Sequence, residues 1–211
     1  MLVVVLKLAC FQPHLTLVVV KSSKTMKTKT YISLLRGINV GGHKKILMTD
    51  LKALYESLGL ERVETFIQSG NVVFNTDKSA ETLSEEIQKT IFDKYGFEVL
   101  VQLRQISDFE NIIKSCPYTK LDLEVDKATK IMITFLDALP SEEDVAELMT
   151  YVKAPEQLVV LGQETYLYCP NGYGTTKLNN NFLENKLKVN ATTRNWKSIM
   201  RISILAMTNK I

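Results

Sequence analysis

The sequence predicts an α+β protein in which short strands alternate with amphipathic helices. Two observations support this class. Apolar residues recur at helical spacing in segments that end at a glycine, and short β-rich runs flank turn-forming residues. Leu51, Leu54 and Leu58 follow the helical spacing, and Gly59 stands where a helix-ending glycine is favoured. Residues 69–71 (Ser-Gly-Asn) separate two β-rich runs and favour a hairpin turn.

The first half predicts the ferredoxin-like order βαββαβ. The predicted elements are strands over 31–36, 63–67, 72–74 and 97–103, helices over 47–58 and 83–95, and a further helix over 106–113. We assign this half to residues 26–119. Residues 120–130 are charged and lack apolar periodicity, as is typical of a domain boundary.

The second half, residues 120–211, predicts a smaller α+β domain that echoes the first in the order βαββαα. A strand over 131–136 precedes a helix that begins after Ser141, because serine caps helices well and acidic residues fill the first turn. The remaining predicted elements are strands over 158–161 and 166–168, a helix over 178–187 and a last helix over 195–207.

Residues 1–25 differ from the rest and are expected to lie outside the fold. Their apolar clusters, at 2–5 and 15–20, surround Lys7, whereas a signal peptide carries its positive charge ahead of its apolar core. Met26 is the natural start in this interpretation. No apolar run approaches the roughly 18–20 residues of a membrane-spanning helix. The sequence therefore predicts a cytoplasmic protein without a membrane partner.

The charge balance argues against nucleic acid as a partner. The chain carries 26 basic and 23 acidic residues, but three of the basic ones lie in residues 1–25, so the signs balance from Met26 onward. The segment from Lys177 onward is basic, with seven bases against the single acid Glu184. It either binds an anion or docks on the acidic body of the same chain.

Most catalytic and metal-binding templates are missing. Cys10, Cys116 and Cys169 lack the spacing of a disulfide framework or a metal site and indicate ordinary thiols. His14 and His43 have no carboxylates at matching spacing, so no metal is predicted. No nucleophile with its base is evident, so the catalytic residues are unknown, and no cofactor is predicted.

The topology of the first half predicts a shallow cleft at one edge of its sheet. In a split βαβ unit, the loop after the first strand and the turn after the second emerge at the same end. The Tyr95-Gly96 turn should lie there too. Glycines allow a close approach to a ligand, and an arginine can bind a carboxylate or phosphate. The candidate ligand-binding residues are Arg36, Gly37, Asn39, Gly41, Gly42, Ser69, Gly70 and Asn71.

A second group of candidates comes from the C-terminal half. Lys177 precedes a helix and is able to reach an anion, while Arg194 and Asn195 stand beside the only tryptophan, Trp196. The alternative interpretation is structural for each group. Arg36 then pairs with an internal acid, the glycines only permit tight turns, and Trp196 anchors the last helix while Arg194 holds its start.

Three motifs together resemble a bacterial family known only as a domain of unknown function. They are LLRGINVGG at 34–42, IQSGNVVF at 67–74 and TTRNW at 192–196, and the resemblance extends from about Tyr31 to Met207. It implies a soluble, cytoplasmic α+β protein with a ferredoxin-like portion that begins near Met26. It implies no established activity, cofactor or catalytic residue.

The sequence leaves three functions open. The first is binding of a small anionic ligand, such as a nucleotide or phosphometabolite, at the glycine-rich loop. The second is an interaction protein or homo-oligomer in which the motifs serve only folding. The third is an enzyme that acts on such a ligand, with Arg36 stabilising developing negative charge.

Overall fold

The computed structural model describes residues 28–118, called here the first half, and 127–209, the second half. The first half contains β1 (Lys29–Leu35), α1 (Met48–Ser57), β2 (Glu61–Phe66), β3 (Asn71–Thr76), α2 (Ala80–Tyr95), β4 (Val101–Gln105) and α3 (Ile106–Ser115). After a short 3-10 turn, the second half contains β5 (Ile131–Leu136), α4 (Glu142–Met149), β6 (Gln157–Leu161), β7 (Glu164–Tyr168), α5 (Asn180–Leu187), β8 (Ala191–Asn195) and α6 (Trp196–Thr208). The predictions for residues 1–25 and for a domain boundary at 119/120 concern residues outside those described.

Each half builds one four-stranded antiparallel sheet. The strand orders are β2-β3-β1-β4 in the first half and β6-β7-β5-β8 in the second. The α+β class is confirmed, as is the βαββαβ order of the first half. Strand β4 lies later than predicted, at 101–105 instead of 97–103.

The predicted order of the second half, βαββαα, is wrong because it omits β8. Residues 191–195 form a strand that pairs with β5, with Ala191 opposite Leu136. The segment contains no large apolar residue, so alternation of apolar and polar residues could not reveal this strand in the sequence. The two halves therefore share one complete plan, βαββαβ followed by a helix.

The elements stack in five layers. Alternate residues of β1 face opposite sides of the sheet: Tyr31 and Leu35 pack with α1 and α2, while Ile32 and Leu34 face a middle layer. The outer face of the second sheet packs with α4 and α5. Helices α3 and α6 occupy the middle layer between the sheets.

The middle layer draws on both halves. Phe109 of α3 stacks on Phe135 of β5 with ring centroids 5.5 Å apart, and the Tyr166 hydroxyl donates to the carbonyl of Ile112, 3.2 Å away. Helix α6 contacts β1 and β3 of the first sheet. Burial of a side chain the size of Phe109 stabilises by roughly 1.5–3 kcal/mol. The halves are thus joined by a common core.

Part of the basic C-terminal segment docks on the same chain. Lys186 pairs with Glu147 and Lys188 with Asp144, each at 2.6 Å, both acids lying on α4. This confirms the docking interpretation for these two lysines. Such surface pairs add little stability individually, but they reduce the free positive charge of the segment.

Candidate functional site

The loop after β1 and the turn before β3 meet at one edge of the first sheet, as predicted. The amide of Leu35 donates to the carbonyl of Gly70 at 2.9 Å, and the amide of Arg36 donates to Leu100 at 2.9 Å. The side-chain amide of Asn39 donates to the carbonyl of Gln68 at 2.9 Å. The loop after β1, the turn before β3 and the start of β4 therefore share one rim.

Arg194 is the residue that joins the three sequence motifs. From β8 it reaches across to the first half, where its Nε donates to Oδ1 of Asn71 at 2.6 Å. Its Nη2 donates to the carbonyl of Leu35 at 2.8 Å and also to those of Ser69 and Gly70. Its Nη1 donates to the Thr192 hydroxyl and the Thr193 carbonyl, both at 2.9 Å. We call this arrangement the first clasp.

The first clasp engages every N–H donor of Arg194. A guanidinium has five N–H donors, and all five have acceptors here. Its acceptors are neutral, and burial lowers the pKa of Arg194 to about 10, so it remains charged at neutral pH. Arg194 thus fastens the two halves together, and its predicted contact with a ligand stays untested.

The asparagines among the candidates are also occupied. Asn71 is fully buried, and its amide donates to the Phe66 carbonyl and the Ser69 hydroxyl. Asn39 binds both backbone groups of Ile46. Asn195 caps α6 through the amide of Ser198 at 2.8 Å. These side chains shape loops and a helix start, and their predicted contacts with a ligand stay untested.

The glycines and Lys177 divide into two kinds. Gly70 is required by packing, since an added Cβ would lie 2.6 Å from Cδ1 of Ile38. Gly41 and Gly42 form the tip of an exposed turn closed by His43, with positive φ at both positions, as a type I′ turn demands. The exposed candidates, untested as ligand contacts, are Gly37, Gly41, Gly42 and Lys177.

Arg36 has an internal acid partner. It forms an ion pair with Glu184 of α5, and its Nε donates to the Ala191 carbonyl at 3.1 Å. A third of the Arg36 side chain remains exposed. An anion at this position would have to compete with the Glu184 carboxylate, so the charge expected to attract a ligand is already compensated.

A second arginine stands at the equivalent position of the first half. Arg104 of β4 pairs with Ile32 of β1, just as Arg194 of β8 pairs with Ile133 of β5. Its Nη2 donates to the carbonyl of Leu136 at 2.9 Å, and its Nε donates to Glu164 at 3.3 Å. Its Nη1 donates to the Leu103 carbonyl at 3.2 Å. This second clasp repeats the first with the halves exchanged.

The second clasp opens onto a groove. The groove has a volume of about 440 Å³ and lies between α3 and the β6–β7 hairpin. Among the described residues Arg104 has acceptors for three of its five N–H groups. The polar side chains that line the groove are Arg104, Asp108, Asn111, Ser115, Gln163 and Glu164.

Glu164 is the groove carboxyl whose pKa is changed by this setting. Burial raises the pKa of its carboxyl above the usual range, the nearby Arg104 guanidinium lowers it by less, and the negative charge of Asp108 raises it further. A carboxyl with a raised pKa beside a charge partner in a cleft is characteristic of functional sites. The groove therefore combines an arginine, two carboxylates and neutral hydrogen-bonding groups.

Two further kinds of feature are absent from residues 28–118 and 127–209. No group of three or more His, Cys, Asp or Glu side chains there is placed to hold a metal ion. In the same residues no helix combines the length and apolar character needed to cross a bilayer. Cys116 and Cys169 are buried, and burial raises the pKa of each thiol.

Hydrophobic patterning gave no reason to single out Arg104. The signal that identifies it is an internal repeat: Arg104 and Arg194 are each the fourth residue of the last strand, and each is followed by an amide side chain that precedes a helix. The repeat was hidden while β8 was missing from the predicted order.

Comparisons with known proteins give a family and similar solved structures. The sequence profile of the family described as "Protein of unknown function (DUF1697)" matches residues 28–166. The structure of the conserved bacterial protein SP0830 from Streptococcus pneumoniae is similar, with 26% identity and a TM-score of 0.67 over 85% of this chain and 99% of that one. No curated protein matches the chain.

Proposed function

Because the chain belongs to the DUF1697 family of proteins of unknown function, whose description gives no activity, we propose its function from the geometry. The protein binds a small polar ligand that carries an acidic group, and it does so in the groove of the second clasp. The acidic group receives hydrogen bonds from the Arg104 guanidinium. A cytoplasmic location belongs to this proposal, since the buried thiol of Cys169 suits a reducing compartment.

The observation that carries the proposal is the difference between two equivalent arginines. All five N–H donors of Arg194 form hydrogen bonds within the protein, whereas Arg104 has two N–H groups without an acceptor among the described residues. An arginine binds carboxylates and phosphates through paired donors. Small-molecule sites favour interfaces between structural units and have volumes of about 300–1,000 Å³, a range that includes this groove.

The proposal moves the anion site away from the glycine-rich loop. At the loop every N–H donor of Arg194 is engaged in the first clasp, and Arg36, which pairs with a glutamate as Arg104 does, does not line the groove. The motif residues then serve folding, as the interaction-protein alternative holds. That alternative remains the second candidate, because the motifs meet around Arg194 without needing a ligand.

The test is a thermal-shift screen of the full chain against carboxylated and phosphorylated metabolites. A ligand that binds the native state raises Tm. We expect a hit whose shift disappears in Arg104→Gln and survives in Arg36→Ala. The matched control is Arg201→Ala on the exposed surface of α6, which should retain the shift.

Two outcomes contradict the proposal. A shift that survives in Arg104→Gln and disappears in Arg36→Ala returns the site to the glycine-rich loop. The absence of any hit at millimolar concentration favours the interaction protein.

A further inference from the structure

The charges around Arg104 restrict the chemistry of its ligand. The groove holds one guanidinium and two carboxylates, those of Asp108 and Glu164. Glu164 already pairs with Arg104. With both carboxylates ionised, a ligand that is only anionic would meet a net negative groove. Like charges that close together in a partly desolvated site cost free energy.

Asp108 offers a free acceptor inside the groove. One of its oxygens, Oδ2, accepts from the amide of Gln105 at 2.9 Å at the start of α3. Within the described residues its second oxygen, Oδ1, has no hydrogen-bond donor. A carboxylate oxygen at the wall of a cleft is suited to an ammonium group, since a charge-assisted hydrogen bond is the stronger kind.

The same helix lines the groove beyond Asp108. Asn111 and Ser115 follow at positions i+3 and i+7 and therefore lie on the same face of α3. Both are exposed and polar, and both present neutral hydrogen-bonding groups. A ligand anchored between Arg104 and Asp108 would extend its remaining part along these two side chains.

We propose, resting on the function proposed above, that the ligand is an α-amino acid or a close relative with a free amino group and a polar side chain. Its carboxylate binds the two available N–H groups of Arg104. Its ammonium group binds Asp108, and its side chain lies along Asn111 and Ser115. No bond is made or broken in this binding.

The experiment is calorimetric titration of the full chain with three matched probes: L-glutamine, N-acetyl-L-glutamine and L-glutamine amide. The first has both charged groups, the second lacks the ammonium and the third lacks the carboxylate. We expect L-glutamine to bind at least about tenfold more tightly than either derivative. L-serine and its two derivatives, as a second set, should show the same order.

Asp108→Asn is the variant that isolates the inference. The substituted amide retains an oxygen to accept from Gln105, so the helix start is preserved, but the negative charge is removed. We expect the preference for L-glutamine over N-acetyl-L-glutamine to fall towards one in this variant. Ser107→Ala, one residue earlier on α3 and absent from the groove lining, is the matched control and should leave the preference unchanged.

The outcomes separate this inference from the function it rests on. If N-acetyl-L-glutamine binds as tightly as L-glutamine and Arg104→Gln abolishes both, the acidic-ligand site stands and the amino-acid inference is overturned. If L-glutamine amide binds as tightly as L-glutamine and Arg104→Gln does not change either affinity, the proposal that Arg104 binds an acidic group of the ligand is refuted. If no amino-acid probe binds, the inference is overturned, and the metabolite screen decides the acidic-ligand site separately.

Discussion

The two clasps are built alike and finished differently. In each, an arginine from the last strand of one half binds the end of the first strand in the other half, at Leu35 or Leu136. The side-chain acceptor also occupies equivalent positions: Asn71 begins β3 and Glu164 begins β7. The first clasp is closed and buried, whereas the second faces a groove.

Turn length accounts for much of the difference. Four residues join β2 to β3, and this longer turn places the Ser69 and Gly70 carbonyls on Arg194. Only two residues join β6 to β7, and no carbonyl of that turn has a hydrogen bond to Arg104 among the described residues. The longer turn thus adds two carbonyl acceptors to Arg194, whereas Arg104 keeps two N–H groups without an acceptor among the described residues.

The largest effect should come from removing the first clasp. Arg194→Ala removes the guanidinium that donates to the carbonyls of Leu35 and Ser69 and to the side-chain oxygen Oδ1 of Asn71, in a buried setting. We expect the free energy of unfolding to fall by about 3–5 kcal/mol, measured by urea denaturation. The exposed Arg201→Ala should change it by less than about 0.5 kcal/mol. Equal effects of the two substitutions would mean that the clasp does not hold the halves together.

The turns themselves provide the next comparison. Gly70→Ala adds a Cβ 2.6 Å from Ile38 at a φ of +74°, whereas Gly162→Ala at +61° meets nothing within 4 Å. We expect the first to cost about 2–4 kcal/mol, from overpacking and left-handed strain together. The second should cost only the strain, about 1–2 kcal/mol. Urea midpoints of the two variants measure the difference, and similar midpoints would contradict the packing role of Gly70.

Removing the second clasp should cost less than removing the first. Arg104→Ala loses three hydrogen bonds, but water in the groove can reach the groups left behind. We expect a loss of about 1–2 kcal/mol in the free energy of unfolding. If the loss equals that of Arg194→Ala, the two clasps are energetically equivalent and the groove is not an open site.

The smallest effect concerns the charge of Glu164 and depends on pH. Its raised pKa means that the ionised carboxyl is disfavoured in the folded protein. The folded protein therefore favours the neutral carboxyl of Glu164. The stability that this neutral carboxyl contributes is fully present below the ordinary glutamate pKa of about 4.3 and is lost as the pH rises through the raised pKa of the folded state. Glu164→Gln should be at least as stable as the native protein at neutral pH.

The pH dependence gives the check on that prediction. The advantage of Glu164→Gln should shrink as the pH falls towards 4, because the native carboxyl then becomes neutral as well. Thermal unfolding of both proteins across this range measures it. An advantage that grows on acidification would show that the ion pair with Arg104 outweighs the effect of burial.

The sequence was sufficient for the features that depend on local patterns. Apolar periodicity and turn residues predicted the first sheet, and its topology brought the bends at Leu35 and Gly70 to one rim. Strand β8 escaped because Ala191–Asn195 has threonines where an alternating apolar residue would have shown a face. The docking of Lys186 and Lys188 was foreseen only as one of two alternatives.

The site required contacts that no local pattern carries. Glu184, the partner of Arg36, lies 148 residues along the chain. Arg194 finds Leu35 at a separation of 159 residues. Pairings between residues so far apart follow from the way the halves stack, so candidates that looked free in the sequence proved to be engaged. The groove arises from the same stacking and has no motif of its own.

The internal repeat has a consequence for how this protein can change. In an assembly of two identical subunits, any substitution appears in both copies of a contact, so a cavity cannot be opened at one without opening the other. Here a single polypeptide encodes both copies separately. Substitutions around Arg104 can therefore change ligand preference while the contacts of Arg194 keep the two halves together.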